Sequence, residues 1–362
     1  MLKPDMKKIS LSLALISFLP LLAHPAAFTG GDLLVVRVGD GTTTLGNTQG
    51  PISILELNSS GGLVQPALGI GSGSGGLQVS GSATSEGQLV RNADGNSWTL
   101  AGYVPPFTGS GSLSSRTSAQ APRGYLTISS SGTASSVTTL SGTYSGQNIR
   151  SGFASGSSLW FAGSGTAAGS GIVNFDGSTA TTIQGVNSRV LNYNSGNLFY
   201  STGSGTQGIY KYSGTPTSPV TSTAFLTGVA GQGTSPYDFV FSPDGNSLYV
   251  ADDGIGVQKF VFNGSAWALA YNFTDSASAN KAYGLAIDFS GANPVLYWTS
   301  PTDLWSATDA GAGAAGTSIL SAGANYAFRG LDMVAVPEPS ALSFLGLGLL
   351  ALVGRRFVSG RV

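Results

Sequence analysis

One pattern recurs through this chain and limits its fold more than anything else: a short apolar run, a tight turn, a second run opening on Leu and an aromatic residue, another turn, and a third run. The clearest copy is Tyr237-Asp238-Phe239-Val240-Phe241, the turn Ser242-Pro243-Asp244-Gly245-Asn246, Leu248-Tyr249-Val250-Ala251, and then Val257 to Phe262. Pro presets φ, Asp bonds its own backbone and Gly accepts φ > 0, so Pro-Asp-Gly between apolar runs specifies a turn between strands. Similar copies run from Tyr283 through Leu296-Tyr297-Trp298 to Leu304-Trp305, from Arg189 through Leu198-Phe199-Tyr200 to Tyr212, and from Ser151 through Leu159-Trp160-Phe161 to Phe175. A looser fifth copy begins at Gln88, continues through Trp98-Thr99-Leu100, and reaches its third strand, Tyr125 to Ile128, only after a Pro/Gly/Ser-rich segment from Pro105 to Pro122.

The second strands start at Leu159, Leu198, Leu248 and Leu296, steps of 39, 50 and 48 residues. Such steps suit propeller blades of four short strands. Helical repeats need amphipathic 3.6-residue periodicity, and these copies carry β-branched and aromatic runs closed by Gly, Asn and Asp instead. The Leu-aromatic pairs are expected to fill the cores between blades. Ala327 to Ala335 reads as a first strand with nothing following it, whereas Leu33 to Val38 and Ile52 to Leu57 are strands lacking a first one. The two ends are therefore expected to complete one blade together. The expected fold is an all-β propeller of six blades, or seven if Pro105 to Leu140 holds another, closed by strands shared between the ends. The Ser-Pro-Asp-Gly turn followed by Leu-Tyr-Val-Ala also resembles, loosely, secreted propellers of the lactonase-like and NHL-like kinds; the overlap is a turn motif and brings no active site with it.

Composition excludes several functions. Between Phe28 and Val336 there are ten Lys and Arg against fifteen Asp and Glu, a formal charge of −5, with no basic cluster. Nucleic acid is not an expected partner, because neutralising phosphates needs clustered cations. The chain has no cysteine and one histidine, His24. Disulfides, thiolate metal sites and a cysteine nucleophile are ruled out, and once His24 is removed so are histidine-based triads and imidazole metal sites. Oxygen ligands alone would suit Ca²⁺. Asp252-Asp253-Gly254 is the best such cluster, but it lacks the spacing of a calcium loop and reads as a turn at a strand end. No metal or other cofactor is expected. Glu56 and Glu86, the only body glutamates, are expected at the surface. The Gly-Ser-Gly triplets at 71–73, 109–111 and 203–205 read as loops, and the sequons at Asn58, Asn263 and Asn272 as turns.

Both ends of the chain carry addressing features. Lys3, Lys7 and Lys8 precede an apolar run from Ile9 to Leu22, and small residues follow at Ala23, Ala26 and Ala27. That order is a secretory signal peptide, residues 1–27, to be removed by signal peptidase near Ala26 or Ala27; the alternative is an uncleaved N-terminal anchor. At the other end Val336-Pro337-Glu338-Pro339-Ser340 is followed by thirteen apolar residues, 341–353, then Gly354 and Arg355-Arg356. The two prolines bar the triplet from a helix or central strand, so it should be extended and accessible. The apolar run would span about 20 Å as a helix, and the arginines should stay on the cytoplasmic side.

In these residues the tail, 336–362, resembles the PEP-CTERM sorting signal, which is recognised by an exosortase-type membrane transpeptidase. The resemblance implies a sorting motif at Val336, Pro337, Glu338, Pro339 and Ser340, a membrane-stop cluster at Arg355 and Arg356, and a membrane intermediate held by the C-terminal helix. The chain departs from the pattern by six further residues, 357–362. A simple C-terminal anchor is the alternative. For the propeller, residues 28–335, two functions are open. One is an exported cell-surface or matrix-associated protein that binds or scaffolds, with exopolysaccharide as a candidate partner. The other is a secreted propeller enzyme using carboxylates or Ca²⁺ on sugar polymers or small esters. The enzyme should gather acids at one mouth of the channel, whereas a binding ring spreads polar and aromatic groups across a face.

Overall fold

The protein is described here by a computed structural model covering residues 26–70, 76–277 and 279–336. Most of the expected signal peptide, and the tail from residue 337 with its apolar run and its arginines, lie outside the described residues. The described chain is all β apart from one short 3₁₀ turn, Leu113–Ser115. No helix among these residues is long and apolar enough to cross a membrane.

The strand pairings among the described residues contain six antiparallel meanders of four strands, with two further links: Gln78–Ser80 pairs with both Gln49–Leu57 and Ser97–Tyr103, and Trp267–Asp275 runs parallel to Ala315–Ser321. The first is shared between the ends: Ala327–Met333 pairs with Leu33–Val38, which pairs with Gln49–Leu57 and then Leu68–Gly69. Its register sets Leu33 opposite Met333 and Val38 opposite Ala327, so the orphan strand and the unpartnered strands read from the sequence do join. The second runs Leu89–Arg91, Ser97–Tyr103, Arg123–Ser129 and Thr138–Leu140. The third runs Ile149–Ser155, Ser158–Gly163, Ile172–Phe175 and Ala180–Gln184. The fourth runs Leu191–Asn194, Asn197–Thr202, Gly208–Lys211 and Thr223–Thr227. The fifth runs Pro236–Phe241, Ser247–Asp252, Gly256–Phe262 and Trp267–Asp275. The sixth runs Leu285–Asp288, Val295–Thr299, Asp303–Thr308 and Ala315–Ser321.

The turns close as their residues dictate. Asp244 Oδ1 accepts from the Asn246 amide at 3.1 Å, and Gly245 takes φ +73°. Ser195 and Gly196 both have positive φ, +48° and +79°, the requirement of a two-residue type I′ hairpin between Asn194 and Asn197.

Why the second strands are apolar on consecutive residues follows from what covers them. Side chains alternate between the two faces of a strand, and here each face meets a neighbouring meander. Tyr200 and Leu198 pack with the third meander's Trp160 and Phe153, while Phe199 between them packs with Phe239 and Leu248 of the fifth. Trp298 joins Tyr249 and Phe273 of the fifth meander, while Tyr297 joins Leu33 and Leu57 of the shared one. The remaining two clusters fill the spaces between the first and second meanders around Trp98 and between the second and third around Phe161. The aromatic residues are thus core, as expected.

The innermost strands, the residues just before them and Thr299, at the end of the sixth meander's second strand, bond each meander to the next in order. The Gln88 amide donates to Arg150 O, Ser151 Oγ to Arg189 O, Asn192 Nδ2 to Phe239 O, the Asp238 amide to Tyr283 O, Thr299 Oγ1 to Arg329 O, and the Gly330 amide to Gly87 O. That sequence of contacts returns to its start, giving curled, nearly closed sheets of propeller-like form. The fourth strands, absent from the sequence reading, are more exposed and more polar: Thr138–Leu140 and Thr223–Thr227 bury one residue each.

Two expectations test this packing. A Cβ on Gly284 would lie 2.5 Å from Leu331 N and 2.7 Å from Arg329 O, whereas one on Gly46 would meet nothing within 4 Å. Gly284→Ala should lower stability by about 1–3 kcal/mol and Gly46→Ala should leave it unchanged, as read from urea midpoints. Between the fifth and sixth meanders, Asp309 accepts from Tyr249 Oη at 2.6 Å, Lys259 Nζ at 2.7 Å and Tyr271 Oη. Burial alone would raise the Asp309 pKa, but these bonds outweigh it and hold the carboxyl below the ordinary aspartate range. A depressed folded pKa contributes stability above the unfolded value and loses it as pH falls. Asp309→Asn should therefore cost about 3 kcal/mol near pH 7, and the mutant's stability should fall less than the wild type's as pH drops below about 4.

Candidate functional site

The innermost strands define two ends, and their side chains differ. At or next to the starts of the strands stand Gln88, Arg150, Arg189, Tyr237, Tyr283 and Arg329, one from each meander. Arg189 is held by Ser235, its Nη1 donating to Oγ at 2.8 Å and to Pro236 O at 3.2 Å, with its Cζ 4.2 Å above the Tyr237 ring. The Tyr237 and Tyr283 ring centroids are 4.7 Å apart, and the Tyr237 and Thr84 hydroxyls share a hydrogen bond of 2.9 Å. Arg150 Nη1 donates to Asn187 Oδ1 and Ser188 O, both at 2.6 Å. Arg329 is fully enclosed and donates to the carbonyls of Ala83, Phe328 and Gly81 at 2.8–3.1 Å. Its guanidinium is a strut that fastens the shared meander to the loop before the second.

Glu86 belongs to the same end. It is wholly buried and accepts from the Ser80 amide at 2.8 Å, Tyr103 Oη at 2.7 Å and Asn148 Nδ2 at 2.5 Å. Burial pushes its pKa up, against the pull of those donors and of Arg150. Glu56 is 2% exposed, accepting from the Thr29 amide at 2.6 Å and from Gln65 Nε2. The surface placement expected for both glutamates is therefore corrected: each is an internal acceptor, Glu56 for loop donors and Glu86 for donors from two strands and a loop.

Between the inner strands, and reaching the end where they finish, a cavity of about 380 Å³ is lined by residues of five inner strands, from Leu89, Leu191 and Leu285 at their starts, and by Val334, Ala335 and Val336. Its polar groups include Arg91, Asn192, Asp238 and Asp332. Asp238 is buried, its pKa pushed well up, and its two oxygens accept from the Phe239 and Leu285 amides at 2.8 and 3.0 Å. Asp332 accepts from Arg91 Nη2 at 2.9 Å and Trp98 Nε1 at 2.6 Å. Both acids are committed to holding strands together.

Of the other residues singled out by sequence, Asp252 ends its strand and accepts from the Ser235 amide at 2.8 Å, while Asp253 pairs with Lys281 at 2.7 Å and accepts from Tyr283 Oη at 3.2 Å. Among the described residues no group of three His, Cys, Asp or Glu is placed to hold a metal. Asn58 and Asn263 cap turns, but Asn272 lies inside the strand Trp267–Asp275 and accepts from Gln258 Nε2, which corrects its assignment to a turn. Gly109, Gly111, Gly203 and Gly205 lie in loops or turns; residues 71–75 are outside the described residues. The arginine positions were missed by sequence reasoning, although aligning the residues that open each first strand would have collected Gln88, Arg189, Tyr237 and Tyr283 in one column.

The tail starts at this second end. Val336, the one described residue of the expected sorting motif, is 65% exposed beside the cavity. Pro337, Glu338, Pro339, Ser340, Arg355 and Arg356 lie outside the described residues.

Comparison with solved structures finds loose likenesses. A periplasmic gluconolactonase of Pseudomonas aeruginosa, PpgL, is 16% identical over 76% of this chain and 78% of its own, with a TM-score of 0.44. A candidate 6-phosphogluconolactonase of Bacteroides fragilis is 14% identical over 80% and 81%, TM-score 0.42. A protein of unknown function from Desulfotomaculum acetoxidans is 12% identical over 84% and 90%, TM-score 0.43. None of their activities transfers to this chain at such values. No curated protein matches. The informative match is local: residues 335–356 carry the PEP-CTERM protein-sorting motif, the mark of an exported protein that an exosortase, a membrane transpeptidase, processes.

Proposed function

We propose that the chain is an exported, surface-sorted binding protein: a signal peptide over residues 1–27, a six-bladed propeller over 28–335 in which each meander is one blade, and a sorting tail over 336–362. The observation that carries this reading is the tail's position. The match begins at Ala335, just after the last innermost strand ends at Met333, and Val336 is solvent-exposed, so the motif begins where the strands have ended. Val336 to Ser340 serve as the recognition segment, the apolar run holds the chain in the inner membrane, and Arg355 and Arg356 stop it on the cytoplasmic side. Processing then moves the body to the cell surface or its matrix. A binding role fits the ring better than acid–base catalysis, since the acids lining the cavity each already accept from two protein donors.

Replacing Pro337, Glu338 and Pro339 with Ala tests sorting against simple anchoring. In a host with the processing enzyme, the wild type should lose its tail and reach the surface, while the triple mutant should keep a C-terminus at Val362 and stay in the inner membrane. Identical C-terminal masses and fractions for both proteins, with the tail intact, would sink the sorting reading.

A further inference from the structure

The end of the ring where the innermost strands begin holds cations with no carboxylate in direct contact. Among the described residues the ion pairs are Arg91–Asp332, Lys259–Asp309 and Lys281–Asp253; Arg150 and Arg189 have no carboxylate within 4 Å. Both side chains are partly exposed. They come from adjacent meanders: Arg150 Nη1 donates to the carbonyl of Ser188, the residue before Arg189, Ser151 Oγ donates to Arg189 O, and the Arg189 charge disfavours that of Arg150. Two positive groups brought together and left unpaired cost stability, and a strut of the Arg329 kind would have used them up on carbonyls. Each instead spends only Nη1 on protein acceptors.

The nearest acids attract them without touching them and are engaged elsewhere: Arg150 favours the Glu86 carboxylate and Arg189 that of Asp252. Glu86 is enclosed and committed to three donors, Asp252 is buried and braces Ser235, and Asp253 is taken by Lys281. Polar groups surround the pair: Thr84, Asn187, Ser235 and the Tyr237 hydroxyl. Gln88 adds both its amide atoms, which are buried without a protein partner, as is Arg150 Nε. Buried polar groups are normally satisfied, so a group of orphans beside two free cations is the signature of a polar binding site.

We infer that this mouth binds an acidic sugar, its oxyanion held between Arg150 and Arg189 and its hydroxyls by the surrounding Thr, Asn, Ser and Tyr groups. Guanidinium groups bind carboxylate and phosphate alike through charge-assisted hydrogen bonds, so a uronate and a sugar phosphate share the recognition chemistry. The described chain ends, at Val336, on the other side of the ring from this mouth. The inference rests on the binding reading of the ring, and it does not depend on whether the tail is cleaved.

The test uses the purified full chain in detergent, titrated calorimetrically with an oligogalacturonide, with a hexose phosphate, with a neutral oligosaccharide of the same length and with inorganic phosphate. An acidic sugar of either kind should bind, more weakly as salt rises, and the neutral oligosaccharide should not. The double mutant Arg150→Gln, Arg189→Gln should bind at least tenfold more weakly, and Tyr237→Phe, which keeps the ring under Arg189, should weaken binding while leaving the melting temperature near wild type. Whichever acidic sugar binds more tightly identifies the oxyanion. Failure of both to bind folded wild type, binding unaltered in the double mutant, or inorganic phosphate binding as tightly as either sugar would overturn the assignment. None of these results bears on sorting, which is read from the mass of the C-terminus.

Discussion

The structure depends on each meander being covered on both faces by its neighbours. A four-stranded sheet with consecutive apolar residues such as Leu198-Phe199-Tyr200 has two greasy faces and cannot be stable alone. Here the third meander takes one face and the fifth takes the other. The requirement passes round the molecule and ends only if the last sheet covers the first. Pairing Ala327–Met333 with Leu33–Val38 satisfies it, and places Trp298 and Tyr297 of the sixth meander on opposite sides of one sheet, each against a different neighbour. Closure at one β-ladder therefore protects six hydrophobic interfaces, and it removes edges that would otherwise invite pairing between chains.

Closure also fixes the chemistry. When first strands converge, residues that open them are gathered into one place whatever their individual roles. Some of what gathers is structural. Arg329 and Glu86 are buried and bonded throughout, and their function is to join loops that no hydrophobic contact could hold. What is left over at the same end, chiefly Arg150 and Arg189, is positive although the body as a whole is negative. At the other end the acids are consumed by the strands themselves, and the chain departs toward its tail. On the proposed reading, one end of the ring is the recognition face, and the other is the end at which the sorting motif begins.

The sequence by itself determined the class of fold, the turns and the address. Three strands of each internal meander were legible because their runs are apolar on successive residues and bounded by turn chemistry; the hairpin at Ser195-Gly196 and the turn at Asp244-Gly245 form as their residues require. The tail was legible because a proline-bounded triplet, an apolar run and a basic pair are defined by order along the chain and need no fold. The fourth strands were not legible, since Thr223–Thr227 and Ala315–Ser321 lie on the outside, where packing selects no pattern. Only the tertiary structure decided that Glu56 and Glu86 are internal, because their burial depends on donors supplied by Thr29, Gln65, Tyr103 and Asn148, residues brought to them by folding. It alone decided that Arg150 sits against Ser188 and so beside Arg189, 39 positions further along the chain. Charge and polarity at a site are sums over residues from many strands, and a one-dimensional pattern holds the strands without holding the sum.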